Sequence, residues 1–362
     1  MGSLGSVFIT GGCGLLGHHV VKYLLQMGDA TQITAFDIST SKNRYNDPKV
    51  QYITGSITSK DDLTSALKLT KANVIINTAS PDPLAPNPQL LEAVNINGTQ
   101  NIIDCAIRCG IRVLVHTSSS EVVQNSYDDI LMADETWPLP ERPVDGAVYS
   151  MTKKIGEEMV LKENGKRGLL TTAIRLCTLF GEGDVVLTKH TMELARKGQA
   201  KYQIGSGKNL YDFIYAGNAA EGHVIAAKKL LEASQAKIPV SDALRVEGEA
   251  FFLTNDDPWP FWSFTRFISS EVGKPVADTE IWTIPLGLIL FFVNILKWVT
   301  WIVTFGGLPS VTINMVKYTA QIRTFDITKA KQRLGFRPRI DMKEGIRRAV
   351  GWHQAQSTRK YI

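Results

Sequence analysis

A phenol and an ammonium group spaced four residues apart share one face of a helix. Tyr149-Ser-Met-Thr-Lys153 has that spacing. An ammonium beside a phenol favours the phenolate, so the tyrosine becomes a base for an alcohol or an acid for a ketone. The chain carries a second match, Tyr45-Asn-Asp-Pro-Lys49, but Pro48 sits inside it in a polar stretch and denies it a helix. A third group comes from Thr117-Ser118-Ser119-Ser120, which ends the apolar run Val113–His116. Serines at the carboxyl end of a parallel strand can hydrogen-bond a reacting oxygen and steady its charge. Taken singly, these residues read as a surface pair and as loop serines. Together they make a proton-transfer site.

Hydride chemistry needs a carrier, and the N-terminus has the residues to hold one. Thr10-Gly11-Gly12-Cys13-Gly14-Leu15-Leu16-Gly17 follows one apolar run and opens another. Gly11 permits a tight turn, Gly14 lets backbone approach a pyrophosphate, and Gly17 lets a helix pack on the sheet. The free N–H groups of that helix favour phosphate. Asp37 lies twenty residues beyond Gly17, at the end of the next strand-like run. A carboxylate there takes ribose hydroxyls and repels a 2′-phosphate, which favours NAD over NADP. Lys42 and Arg44 follow closely and soften that preference.

The elements that must position these groups alternate. Ser6–Thr10, Gln32–Asp37, Val50–Thr54, Asn73–Thr78, Arg112–Ser118 and Leu169–Leu176 read as strands. Leu15–Met27, Lys60–Leu69, Gln89–Cys109 and Val148–Glu163 read as helices. Repeated βα units imply an α/β, Rossmann-type doubly wound parallel sheet with helices on both faces. This places the dinucleotide-binding domain at 1–180. The looser half, 181–362, reads as a smaller C-terminal substrate lobe, with segments near Tyr211–Ile214 and Ala250–Thr254 returning to the main sheet.

Bulk properties exclude other classes. The 362 residues are 44% hydrophobic and 21% charged, which is globular composition. The net charge of +5 comes without a basic stripe and interleaved aromatics, so nucleic acid is not an expected partner. The four cysteines form no CxxC pair, no metal site is expected, and reduced thiols are. No G-x-S-x-G elbow exists, which argues against a hydrolase. The first residues lack a basic stretch ahead of an apolar one, so a secretory signal is not expected; the M-G-x-x-x-S start and the Asn97-Gly98-Thr99 sequon read as coincidences.

One stretch stands apart. Ile281–Phe305 is apolar on every side from Ile284, broken only by Asn294 and Lys297. Such a helix is buried or in lipid. Trp282, Trp298 and Trp301 suit an interface, while Lys297 near the centre opposes a clean span. The expectation is membrane association without clean spanning; the alternative is a lid over an apolar pocket.

With these residues placed, the sequence resembles the extended short-chain dehydrogenases. Within them it is similar to the 3β-hydroxysteroid dehydrogenase group, and most to the sterol-4α-carboxylate 3-dehydrogenases (decarboxylating). The likeness runs beyond the glycine turn and the Tyr149–Lys153 pair. It includes Asn77-Thr-Ala-Ser-Pro81, Val94-Asn-Ile-Asn-Gly-Thr99, Ala133-Asp-Glu-Thr-Trp-Pro138, Asp212-Phe-Ile-Tyr-Ala-Gly-Asn218 and the tail from Ala330 to Pro338. The resemblance implies a catalytic set of Ser119, Tyr149 and Lys153. It implies cofactor contacts from Gly11, Gly12, Gly14, Leu15, Leu16, Gly17, Asp37, Ser56, Ile57, Thr78, Ala79, Ser80 and Asn97, with Tyr149 and Lys153. The implied reaction is NAD-dependent oxidation of a sterol or triterpenoid 3β-hydroxyl. A 4α-carboxylate substrate would then lose CO₂ as a β-keto acid. The alternatives are a dehydrogenase or dehydrogenase/isomerase without decarboxylation in specialised terpenoid synthesis, and a non-catalytic cofactor-binding scaffold. The expected location is the cytosolic face of the endoplasmic reticulum membrane or a lipid droplet, with the membrane surface and a second copy of the chain as partners. Two positions depart from the family pattern: Ser56 stands after Gly55 where an Asp is usual, and Leu176 follows Arg175 where Pro is usual.

Overall fold

The computed structural model describes residues 2–83, 87–124, 128–141, 148–236, 241–304 and 311–359. Phe305, the last residue of the apolar stretch, lies outside them. The core is a seven-stranded sheet in the order Ala250–Leu253, Leu170–Leu176, Val113–Ser119, Val74–Asn77, Ser6–Thr10, Gln32–Asp37, Val50–Thr54. Every pairing in it is parallel. Its strands are buried runs of Val, Ile and Phe, as a sheet covered on both faces requires. One face packs against helices Leu15–Met27 and Ala216–Gln235. The other packs against Lys60–Thr70, Thr99–Arg108 and Val148–Lys162.

The strand order reverses between Ser6–Thr10 and Val74–Asn77. Ligands bind in the crevice outside the carboxyl ends at such a switch point. Both strands end there in polar residues that tie the crevice together. Thr10 Oγ1 donates to Asn77 Oδ1 at 2.6 Å, and Thr78 Oγ1 donates to the Thr10 carbonyl at 2.7 Å.

Three expectations need correction or refinement. The stretch read as one helix, Gln89–Cys109, is an α-turn at Pro88–Glu92, a π-helical turn at Ala93–Gly98 and an α-helix at Thr99–Arg108. Ala250–Leu253 does pair with Leu170–Leu176 at the sheet edge. The segment near Tyr211–Ile214 does not return to the main sheet; it splits at Asp212. Leu210–Tyr211 joins a four-stranded sheet with Trp259–Pro260, Arg323–Phe325 and Ile130–Ala133. Phe213–Tyr215 pairs with Thr178–Phe180. The reason lies at Cys177, where the chain leaves the main sheet, so the strand continuing it takes its own partner and Ala250–Leu253 already occupies the edge.

The two halves of the chain are therefore interleaved. A helix and an edge strand of the nucleotide sheet come from beyond residue 180.

Helix Leu286–Val303 has 18 residues with a mean hydropathy of 2.0, yet only 6% of them are buried. Val293 is its one buried residue, while Phe291, Phe292, Trp298, Trp301 and Ile302 are all more than half exposed. Its half-buried residues are limited to Leu286, Ile289, Leu290 and Thr300 beside the buried Val293, while the rest of the helix stands exposed.

Candidate active site

The glycine turn is built as its spacing predicts. Gly11 has φ +66°, a backbone shape that L side chains rarely adopt. A Cβ on Gly17 would lie 2.1 Å from the Gly11 carbonyl oxygen, so only glycine lets helix Leu15–Met27 close on the turn. Gly14 caps that helix without a side-chain bond and is exposed. The first N–H groups of the helix thus face the crevice at the switch point, a fitting seat for phosphate. Leu15 is half-buried, and Leu16 is a core residue, so their contribution to a cofactor is backbone N–H.

Asp37 stands at the end of its strand against this turn. Its Oδ2 accepts the Cys13 N–H at 3.0 Å and its Oδ1 accepts the Ser39 N–H at 3.2 Å. The carboxylate is oriented by backbone and half-exposed, as recognition of ribose hydroxyls needs. Arg44 lies over the Tyr52 ring at 4.5 Å. The residues present therefore fit NAD: a phosphate seat, a ribose-facing carboxylate and an open crevice between them.

The adenine side is less direct. Ser56 donates its N–H to Asp62 Oδ2 at 2.9 Å and shares a hydrogen bond with Thr58 at 2.8 Å. Ser56 thus brings a hydroxyl, not a carboxylate, to this position. Ile57 is packed into the core, where a Cβ on Gly98 would meet its Cδ1 at 2.7 Å. Thr78, Ala79 and Ser80 line the mouth of the crevice; a Cβ on Gly11 would meet Ala79 Cα at 2.8 Å.

The proposed catalytic groups meet at the carboxyl ends of the strands. Tyr149 is half-buried, and the hydroxyls of Ser119 and Ser80 act on its phenol. Burial pushes the Tyr149 phenol up, the Ser119 hydroxyl pulls it down, and the Glu121 carboxylate pushes it up further. Ser119 is buried, and its Oγ accepts the Glu121 N–H at 3.1 Å. Lys153 does not contact the phenol in a described hydrogen bond. Its ammonium donates to the Thr117 carbonyl at 2.5 Å. Burial pulls Lys153 down to about 8, against the charge of Glu157, which favours the cation.

Behind these groups lies a buried polar chain. Thr117 Oγ1 donates to His223 Nε2 at 2.9 Å, because His223 Nδ1–H is committed to the Ala219 carbonyl at 2.8 Å. Asn77 Nδ2 donates to His116 Nδ1 at 2.9 Å. Arg175 grips Glu157 with three N–H···O contacts, the shortest 2.7 Å, and stands 5.2 Å from the Phe252 ring. Thr117 is half-buried, and the other side chains named here are at least nine-tenths buried. These bonds tie strand Val113–Ser119 to strand Val74–Asn77 and helix Ala216–Gln235, and strand Leu170–Leu176 to helix Val148–Lys162.

Asn97 is corrected. It is exposed on the π-helical turn. The asparagine that enters the site is Asn95, which is buried, accepts from Ser80 Oγ at 3.1 Å and donates to Thr152 Oγ1 at 3.0 Å. The π-turn supplies the reason, since i→i+5 bonding rotates the face that a regular helix would present. The signal in the sequence was Gly156: a Cβ there would meet the Asn95 carbonyl oxygen at 2.7 Å.

The comparisons with known proteins fall on this geometry. The model of the 3-beta hydroxysteroid dehydrogenase/isomerase family matches residues 8–286. The chain belongs to this family. It is 36% identical over 359 residues to the sterol-4-alpha-carboxylate 3-dehydrogenase, decarboxylating, of Saccharomyces cerevisiae, covering 97% of this chain and 99% of that protein. It is 37% identical to the enzyme of the same name in Candida albicans, covering 97% and 98%. In fold it is similar to the Thermus thermophilus UDP-glucose 4-epimerase in complex with NAD, with a TM-score of 0.69, 20% identity and coverage of 96% and 99%. Membership accounts for the Rossmann-type sheet.

Proposed function

We propose that this protein oxidises the 3β-hydroxyl of a 4α-carboxysterol with NAD and releases the decarboxylated 3-ketone. The observation that carries this reading is the match of the whole chain to the yeast decarboxylating dehydrogenases, with Ser119 and Lys153's partner Thr117 on one strand at the edge of the switch-point crevice. NAD, held by the Gly11–Gly17 turn and Asp37, supplies the hydride acceptor.

The chain's own residues do the rest. Ser119 and Tyr149 bind the C3 oxygen. Tyr149 takes the hydroxyl proton as hydride leaves C3, and a ketone forms. Lys153 holds positive charge one helical turn from that phenol. The product is a β-keto acid, whose C4–carboxyl bond breaks to give CO₂ and an enolate. Ser119 and the now protonated Tyr149 hydrogen-bond the enolate oxygen, and C4 takes a proton from water. No further acid or base is needed for loss of CO₂.

Incubation of the purified protein with NAD and a 4α-carboxysterol tests the reading. NADH and CO₂ in equal amounts are expected. NADH without CO₂ would assign a plain dehydrogenase, and no NADH would overturn the reading.

We further propose that the chain works on a membrane surface as a homodimer, on the cytosolic face of the endoplasmic reticulum or a lipid droplet. Helix Leu286–Val303 supports the membrane: 18 residues rise roughly 27 Å, close to the hydrocarbon thickness of about 30 Å. Lys297 in its middle argues for attachment along the interface over a clean span. Four free cysteines suit a reducing compartment. Carbonate extraction that leaves the protein in the membrane pellet is expected; release into the soluble fraction would remove firm insertion. Sedimentation velocity in detergent decides the dimer.

A further inference from the structure

Arg323 opens the strand Arg323–Phe325 in the smaller sheet and is 1% exposed. A buried guanidinium must be paired and hydrogen-bonded, so its partners show what it is for. Three oxygen partners among the described residues lie on the single turn that follows Ser119. Arg323 Nη2 stands 2.9 Å from Glu121 Oε1 and 3.4 Å from Ser120 Oγ, and Nη1 donates to Gln124 Oε1. The same turn donates the Glu121 N–H to Ser119 Oγ. Tyr318 and Tyr211 enclose the guanidinium at 4.9 and 5.8 Å from their ring centres.

We propose that Arg323 is a positioning residue for the oxidation step: it fixes the turn that carries Ser119 and neutralises Glu121 beside Tyr149. The inference rests on the dehydrogenase reading of this site. Its geometry is that of a fork. One planar cation reaches oxygens at positions 120, 121 and 124 of one turn, a pattern an ammonium cannot reproduce. The turn is thereby anchored across the crevice to the C-terminal lobe, and Ser119 Oγ keeps its direction.

The charge matters as much as the fork. Among carboxylates, Glu121 acts most on the Tyr149 phenol, and Tyr318 acts on it from the helix Ile313–Ala320. Arg323 faces Glu121, Tyr211, Tyr318 and Cys177. Asp212 acts on Cys177 from the segment between the two short strands. Without Arg323, Glu121 stands uncompensated next to the phenol, which must lose its proton to act as base.

The test measures NADH formation by the full-length protein against pH for wild type, Arg323→Gln, Arg323→Lys, Glu121→Gln and the double variant Arg323→Gln/Glu121→Gln. In Arg323→Gln, kcat falls about 100-fold, as a misplaced catalytic group does, with KM for NAD unchanged. The acid limb of kcat/KM moves to higher pH. The double variant brings the limb back, since neither charge remains. Arg323→Lys keeps the limb in place and loses part of kcat, because the charge stays and the fork goes. Glu121→Gln moves the limb to lower pH and provides a reading even where Arg323→Gln does not fold. Acid limbs that coincide in wild type, Arg323→Gln and Glu121→Gln would overturn the assignment, as would a double variant no better than Arg323→Gln. Wild-type protein that makes no NADH overturns the dehydrogenase reading itself, whereas an active wild type with coincident limbs overturns only the role of Arg323.

Discussion

Lys153 Nζ donates to the carbonyl oxygen of Thr117, two residues before Ser119 on the same strand. The ammonium that the family pattern sets beside the phenol is here tied to the strand carrying the serine. Helix Val148–Lys162 and strand Val113–Ser119 are thus joined at the point where both catalytic side chains emerge. Lys153 is a structural pin and a local charge at once.

This dual role gives opposite outcomes for activity and stability. Burial lowers Lys153 to about 8, so the folded protein carries the cost of a buried cation below pH 8. That cost is relieved as pH rises from about 8 toward the ordinary lysine value, because there the unfolded chain holds the extra proton. Lys153→Met keeps the volume and removes the charge. Its urea midpoint at pH 7 is expected to equal or exceed wild type, with up to on the order of 3 kcal/mol available. NADH formation is expected to fall at least about 100-fold. Urea titration and steady-state assay on one preparation check both halves.

Asn95 and Asn97 sit two residues apart on one turn and should behave differently. Asn95→Ala removes an acceptor of Ser80 and the donor to the buried Thr152 hydroxyl, and opens a hole in the core beside Tyr149. A loss of about 1–3 kcal/mol in stability and a clear fall in kcat are expected. Asn97→Ala removes an exposed side chain and should leave both within experimental scatter. Equal effects at the two positions would return the site role to Asn97.

The glycine turn separates folding from cofactor binding. Gly17→Ala drives a Cβ to 2.1 Å from the Gly11 carbonyl, so the protein should lose stability with no nucleotide present. Gly14→Ala meets only that carbonyl, at 3.2 Å, and points toward the phosphate seat. It should fold with nearly wild-type stability and bind NAD more weakly. Thermal melts with and without NAD distinguish them: the first shifts both curves, the second removes the shift that NAD produces.

Acid sensitivity follows from His223. Burial lowers it to about 4, and its ring accepts from Thr117 only while neutral. Between pH 6.5 and 4 the unfolded chain takes up a proton that the folded chain refuses, so stability falls as pH falls through that window. Urea midpoints of His223→Leu should decline less steeply over the same range. The difference at pH 4 is expected on the order of 3 kcal/mol. Parallel slopes would remove His223 from the acid response.

Much of this protein was legible as a string of residues. The Gly11–Gly17 turn, Asp37 at a strand end and the Tyr149–Lys153 spacing are local: each depends on bonds within one turn or one strand, so side-chain type and spacing suffice. The strands of the nucleotide sheet are equally local, since a strand buried on both faces must be a run of apolar residues. What only the tertiary structure decided comes from contacts distant in sequence. Asn95, not Asn97, turns inward because the π-turn rotates the helix face, and Gly156, which packs against the Asn95 carbonyl, lies on another helix. The split at Asp212 arose because the edge of the main sheet was already taken by residues 250–253. Arg323 meets the serine turn from two hundred residues away, and Lys153 meets Thr117 across a helix–strand interface. Periodicity cannot report such meetings, because they depend on which surfaces the packed core leaves facing one another.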